Sequence, residues 1–260
     1  MKYFFIFKGE LRRTIEEAKN YRLQTISNVV STAIFFLGFS FAVPPDMRGS
    51  NLFLLISMLL WYFSLEIINQ MSHYILEEKY FGTIEKIFLS PFGPVIVLSF
   101  RALSSLILSS GIVIVMFFGL SLAIGISPFA ITLPMLATCL VTLAGLYGFG
   151  LMLAGLTIIN SRTSSISSIV TYILLFISGM LIPLQEFPPI LGAIARFFPL
   201  TNGIEMLRTI TSENLDVISV LLHPNSIFGI AYSVLSIVAG FVIFRSAVRR
   251  AKTKGIIRSI

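Results

Sequence analysis

Residues 76–91 read LEEKYFGTIEKIFLSP, a segment with five charged side chains set between two apolar runs, 52–75 and 94–124. Each run exceeds the ~20 residues that an α-helix needs to cross a hydrocarbon core. A lipid-embedded chain keeps charge out of the bilayer, so this interval lies in water at a membrane surface. Tyr80, Ile84, Ile87 and Phe88 recur at helical spacing, Glu77, Glu78, Lys79, Glu85 and Lys86 supply charge, Gly82 permits close backbone approach and Pro91 ends the helix. Apolar anchors with a charged rim are what a surface needs to fill a partner's groove in one register. The same residues also fit an ordinary connecting helix lying on the membrane.

Working outward, the whole chain is lipid-like. Of its 260 residues 56% are hydrophobic and 12% charged, and the mean hydropathy is +0.92. That excludes a soluble domain with a normal polar surface. No charge interrupts the sixty residues between Arg101 and Arg162, room for two spans with a turn at 125–128. The expected architecture is all-α: an amphipathic interface helix at 3–22, spans at 23–43, 52–75, 94–124, 130–160, 164–183 and 226–244, short external re-entrant helices within 186–212, and a basic tail at 245–260. Pro44 and Pro45 stop the first span. No internal repeat relates the two halves.

Charge sets the orientation. If both termini, the 76–101 loop and Arg162 face the cytoplasm, sixteen of the nineteen basic residues lie inside. Only Arg48, Arg196 and Arg208 fall outside. The net +7 then reflects topology and contact with anionic lipid, and no folded basic face for a nucleic acid is implied. The amino-terminal apolar stretch is too short for a signal-peptide core, so the first span is expected to double as the targeting signal.

The second span is the chemically unusual one, with Trp61 near its middle and Glu66, Asn69, Gln70 and His73 expected on one face. Glu66 costs about 2.5 to 3.5 kcal/mol at a span centre and must face protein or water. A contact in a substrate path and a buried interhelical hydrogen bond both satisfy that requirement. Cys139 is a lone small packing residue without a disulfide or thiolate-metal partner. His73 and His223 fall on opposite sides of the membrane, which excludes a shared metal site. The dipeptide Gly-Lys never occurs, so a phosphate-binding loop is absent, and no serine sits in a G-x-S-x-G elbow. The SRTSSISS run at 161–168 reads as the polar start of the fifth span. Ala144/Gly148 and Gly150/Ala154 stand four apart and would allow close helix approach.

The run Glu77-Glu78-Lys79-Tyr80-Phe81-Gly82-Thr83-Ile84-Glu85 with Ser90-Pro91 resembles the E-x-x-x-G-T-L/I-E…S/T-P signature of the permease subunit of type-2 ATP-binding cassette (ABC) exporters. The stretch SGMLIPLQEFPPILGAIARFFPLTNGIEMLR is similar to that family's fifth span and external helices, with Pro199, Leu200, Thr201 and Arg208 matching its P-L-T…R pattern. The resemblance implies that 76–91 is a coupling helix, with Glu77, Glu78, Tyr80, Phe81, Gly82, Thr83, Ile84 and Glu85 meeting a separately encoded ATPase. It implies two permease copies and two ATPases in a cell membrane, ATP and Mg bound by the ATPase, and no catalysis on this chain. Trp61, Glu66, Asn69 and Gln70 are then candidates for the path of an amphiphilic cargo. The competing class is an ion-gradient transporter or channel in which Glu66 and His73 carry protons.

Overall fold

A computed structural model describes residues 2–42, 50–125, 127, 130–213, 219–220 and 223–253. Helices α1 (Lys2–Asn20), α2 (Arg22–Ala42), α3 (Asn51–Tyr80), α4 (Ile84–Leu89), α5 (Gly93–Ile124), α6 (Leu133–Ile159), α7 (Thr163–Ile177), α8 (Pro189–Ala195), α9 (Pro199–Glu213) and α10 (Pro224–Thr253) follow in order. No strand occurs among the described residues.

Four helices, α3, α5, α6 and α10, are long and apolar enough to cross a membrane. The two other expected spans are shorter apolar helices: the apolar part of α2 covers Thr25–Phe39, and α7 has 15 residues. At 1.5 Å per residue α7 is about 22 Å long, less than the ~30 Å hydrocarbon thickness. It ends where Gly179 takes φ +83°, a left-handed turn that a side chain would strain. The proline stop at 44–45, Arg48 and the tail end at 254–260 lie outside the described residues.

The centre of the protein is built on small residues. A Cβ on Gly148 of α6 would lie 2.4 Å from the Ile237 nitrogen of α10, and one on Gly240 of α10 would lie 2.1 Å from the Gly148 oxygen. The two backbones therefore touch, which gives α6 and α10 the dispersion contact that membrane helices must use in place of a hydrophobic driving force. Gly150 turns the other way, its Cα face against Met71 and Ile67 of α3. The small-residue spacing seen in the sequence thus forms seams within one chain.

α9, within the stretch expected to form short re-entrant helices, is packed inside the protein. Leu200, Thr201, Ile204 and Leu207 are fully buried, and a Cβ on Gly203 would strike Thr142 of α6. Protein rather than lipid covers this non-spanning backbone, the condition under which it is tolerated at membrane depth. At the opposite end of the molecule α1 lies along α5, with Phe7 against Phe100 and Tyr3 against Phe92. Phe4 and Phe5 point outward, as an interfacial helix requires.

Candidate functional site

The interval 76–91 is divided, and the division decides which side chains are free. α3 continues unbroken to Tyr80, and Gly82 then takes φ +66°. A Cβ there would meet nothing within 4 Å, so glycine serves the left-handed turn and no close contact within the chain. α4 starts after the turn and buries Ile84 and Phe88. Tyr80, expected on their face, instead stands 84% exposed beside Phe81 at 70%, their rings edge to face at 5.6 Å. Leu89 is exposed too, and so are Gly82, Glu85 and Lys86. Two exposed aromatics on a charged turn form an apolar surface that water does not favour.

Glu78 and Lys79 face inward. The Glu78 carboxylate accepts from Arg101 Nη1 of α5 at 2.9 Å and from Arg13 Nη1 of α1 at 3.4 Å, and the Thr83 hydroxyl donates to it. Arg101 Nε also reaches Glu10 of α1 at 3.3 Å, while its guanidinium lies 4.8 Å from the Tyr74 ring centroid. Arg101 is 3% exposed. Removed from water, a guanidinium holds its place only with such a full set of acceptors. Burial pushes the Glu10 carboxyl above its ordinary value, Arg13 opposing and Glu78 adding to the rise. Lys79 Nζ donates to the Thr157 and Ile158 carbonyls at 2.9 and 2.8 Å and to Ser161 Oγ at 3.1 Å. It thereby caps the C-terminal end of α6, where the helix dipole and unpaired carbonyls favour a cation. The turn that carries Tyr80 and Phe81 is therefore tied through Glu78 to α1 and α5, and through Lys79 to α6. A groove of about 450 Å³ runs beside it, lined by Glu78, Phe81, Thr83, Lys86, Ile87 and Arg101 among others.

The polar residues of α3 separate into two sets. Trp61 Nε1 donates to the Thr171 carbonyl of α7 at 3.0 Å, Asn69 Nδ2 donates to Thr171 Oγ1 and Ser168 Oγ to Asn69 Oδ1, both at 3.3 Å, and Ser72 and Ser167 share a hydrogen bond. The serine-rich start of α7 is the matching half of this ladder, which fastens α7 to α3. Glu66 and Gln70 turn toward α5 instead. Glu66 Oε2 accepts from Gln70 Nε2 at 2.8 Å and from Ser109 Oγ at 3.2 Å. Both border a cavity of about 490 Å³ between α1, α2, α3 and α5, with Tyr62, Tyr74, Glu77 and Ser105 on its wall. His73 is exposed. The four candidate path residues are thus not one group, since Glu66 and Gln70 line this cavity while Trp61 and Asn69 bond to α7.

At the other end of α3, the Arg208 guanidinium of α9 stacks 4.5 Å from the Phe53 ring centroid and donates from Nη2 to the Gly179 carbonyl. Its Nε faces Glu205 Oε1 at 3.7 Å, beyond hydrogen-bond reach. Both of those atoms are buried without a hydrogen-bond partner. Burial raises the Glu205 carboxyl, against the pull of Arg208, and lowers the Arg208 guanidinium.

A family model described as ABC-2 type transporter matches residues 1–211. The chain belongs to the ABC-2 type transporter family. It is a membrane-embedded permease of that class, and the match spans α1, both arginine clusters and the turn at Tyr80–Thr83. No curated protein matches the ABC-2 chain.

Sequence reasoning took Arg101 only as a marker of topology and missed its role, along with those of Glu10, Arg13, Tyr62 and Ser109. One signal for Arg101 was present: it opens the sixty-residue charge-free stretch, and an arginine at the start of a span needs an acidic partner or a headgroup.

Proposed function

We propose that this ABC-2 permease is half of the membrane part of an ATP-driven exporter and that the turn from Tyr80 to Glu85 docks on a separate ATPase subunit. The observation that carries the reading is the pairing of an exposed aromatic turn with two buried anchors, Glu78 and Lys79, directly behind it. An ordinary surface loop needs no such backing, whereas a contact that must deliver force does. In this reading α2 and α7 complete six crossings, the termini and α4 lie in the cytoplasm, and the membrane is the cell's plasma or inner membrane. Two ATPases bind ATP and Mg and close on each other. Their movement reaches α3 through the turn and reshapes a path between two permease copies for an amphiphilic cargo such as a drug-like molecule, a lipid or a lipid-linked glycan. The outward apolar row Ile166, Ile169, Tyr172, Ile173 and Phe176 on α7 supports contact with a second copy, identical or homologous.

The test uses the permease with its partner ATPase in liposomes. Gly82→Asn retains the left-handed turn, because asparagine tolerates that conformation, while placing a side chain on the docking face. Glu85→Lys reverses a charge there. Both are expected to insert and fold normally, and both are expected to lose ATP-dependent flux. Normal pumping by both variants overturns the docking assignment.

A further inference from the structure

The cavity bordered by Glu66 extends along α3 from Glu77 to Tyr62, fifteen residues and therefore about 22 Å of length. Its volume of about 490 Å³ is that of a site for a drug-sized molecule. Its charges are unequal: Glu17, Glu66 and Glu77 face one guanidinium, Arg13. Glu17 already engages Arg13 at 2.8 Å. Among the described residues the ion pairs engage Glu10, Glu16, Glu17, Glu78 and Glu205, and none engages Glu66. Glu66 instead receives neutral donors, Gln70, Ser109 and Tyr62, which orient the carboxyl without supplying a charge. Around it stand the Tyr62 phenol and the apolar Leu108 and Ile112. An anion entering here would meet carboxylates along its length, and a neutral molecule would leave Glu66 to the neutral donors Gln70, Ser109 and Tyr62 or to a proton. A cation offsets the cost of that carboxylate and can also lie against an aromatic face.

We propose that this cavity binds a hydrophobic organic cation, an ammonium or phosphonium centre on an apolar body, with its charge set against Glu66. This rests on the exporter reading only for its consequence, since there it names a class of cargo that docks on the α5 side of α3 before it reaches the path between the two copies. The side of entry is where α2 forms the wall. α2 is held chiefly by aromatic contacts at its far end, Phe35 and Phe36 against Trp61, while Leu23, Ile26 and Val30 near its start face outward. An amphiphile dissolved in the adjoining leaflet can therefore reach the space between α1 and α2 without crossing the packed centre.

The test is equilibrium binding of tetraphenylphosphonium to the full-length permease in phosphatidylglycerol nanodiscs, without ATP or ATPase. Saturable binding is expected, with no competition from tetraphenylborate. Glu66→Gln is expected to weaken binding roughly tenfold, as loss of one charge-assisted contact does, and Leu108→Trp to weaken it by filling the space. Glu16→Gln, on the exposed side of α1, is expected to bind like the parent. Equal binding by Glu66→Gln and the parent, or equal binding of cation and anion, overturns the proposal. Adding phosphatidylethanolamine separates two sources of the same chemistry: displacement of the probe marks a lipid amine as occupant, and its absence marks a free cation. A chain that binds the cation but gives no ATP-dependent flux with its ATPase keeps this site and refutes the exporter reading.

Discussion

An arginine holds each end of α3, and the two ends are built differently. At the Tyr80 end Arg101 is sealed between Glu78 and Glu10 at 2.9 and 3.3 Å with Tyr74 beneath it. At the Asn51 end Arg208 leans on Phe53 and the Gly179 carbonyl, and its nearest carboxylate oxygen stays 3.7 Å away. The first cluster joins three helices distant in sequence by matched charges. The second brings α9 to a turn and leaves two polar atoms unmatched. Buried ion pairs resist the loss of one partner much more strongly than loosely matched ones. The contrast teaches that one end of the helix is a fixed joint and the other can yield.

The largest expected effect comes from breaking the fixed joint. Arg101→Met leaves buried Glu78 and half-buried Glu10 with only the half-exposed Arg13 and should destabilise the fold by about 3 kcal/mol, read as a large fall in melting temperature of the detergent-purified protein. Adding Glu78→Gln should recover part of the loss; no recovery would mean that packing, not charge, holds the end. Arg208→Met should cost less, about 1 to 2 kcal/mol for one ring contact and one carbonyl bond. Equal losses for Arg101→Met and Arg208→Met would erase the comparison.

Acidity should sharpen it. Burial raises both Glu205 and Glu10 above the ordinary 4.5, so in the window above that value the folded protein holds protons that the unfolded chain has released. Stability therefore falls as pH rises through the raised values. Glu205→Gln should flatten the portion of this slope that belongs to the yielding end, measured as melting temperature against pH, and an unchanged slope would contradict the burial of that carboxyl. The smallest stability effect belongs to the exposed turn. Tyr80→Ala with Phe81→Ala should change stability by no more than about 0.5 kcal/mol while abolishing co-purification with the partner ATPase; a large destabilisation would show that the two rings pack within the chain.

Much of the fold follows from one-dimensional pattern. α3, α5, α6 and α10 were readable because apolar runs of this length have few other solutions in lipid. α9 was readable as a short helix but its seat was not, because Leu200, Ile204 and Leu207 form an amphipathic stripe that suits a membrane surface and a protein groove equally, and only Gly203 against Thr142 distinguishes them. α10 runs to Thr253 instead of stopping near 244, since nothing in FRSAVRRAKT breaks a helix and residues beyond the bilayer can remain helical in water. For the candidate site, the turn at Gly82 was visible as a motif. The split among Trp61, Glu66, Asn69 and Gln70 was not, since it depends on which neighbour α7 and α5 present to each side of α3. Helical spacing places side chains around an axis but says nothing of what stands opposite.

Glu78 and Lys79 are consecutive, so on α3 they point about 100° apart. One is bonded to α5 and α1, the other to the end of α6. A load applied at Tyr80 and Phe81 therefore acts on a shaft gripped at two angles around its circumference. Each bond acts at the circumference, so sideways displacement and rotation of the turn are both opposed, and this end of α3 moves only together with α1, α5 and α6. With its 30 residues α3 is a lever some 45 Å long, clamped at Tyr80 and looser at Phe53.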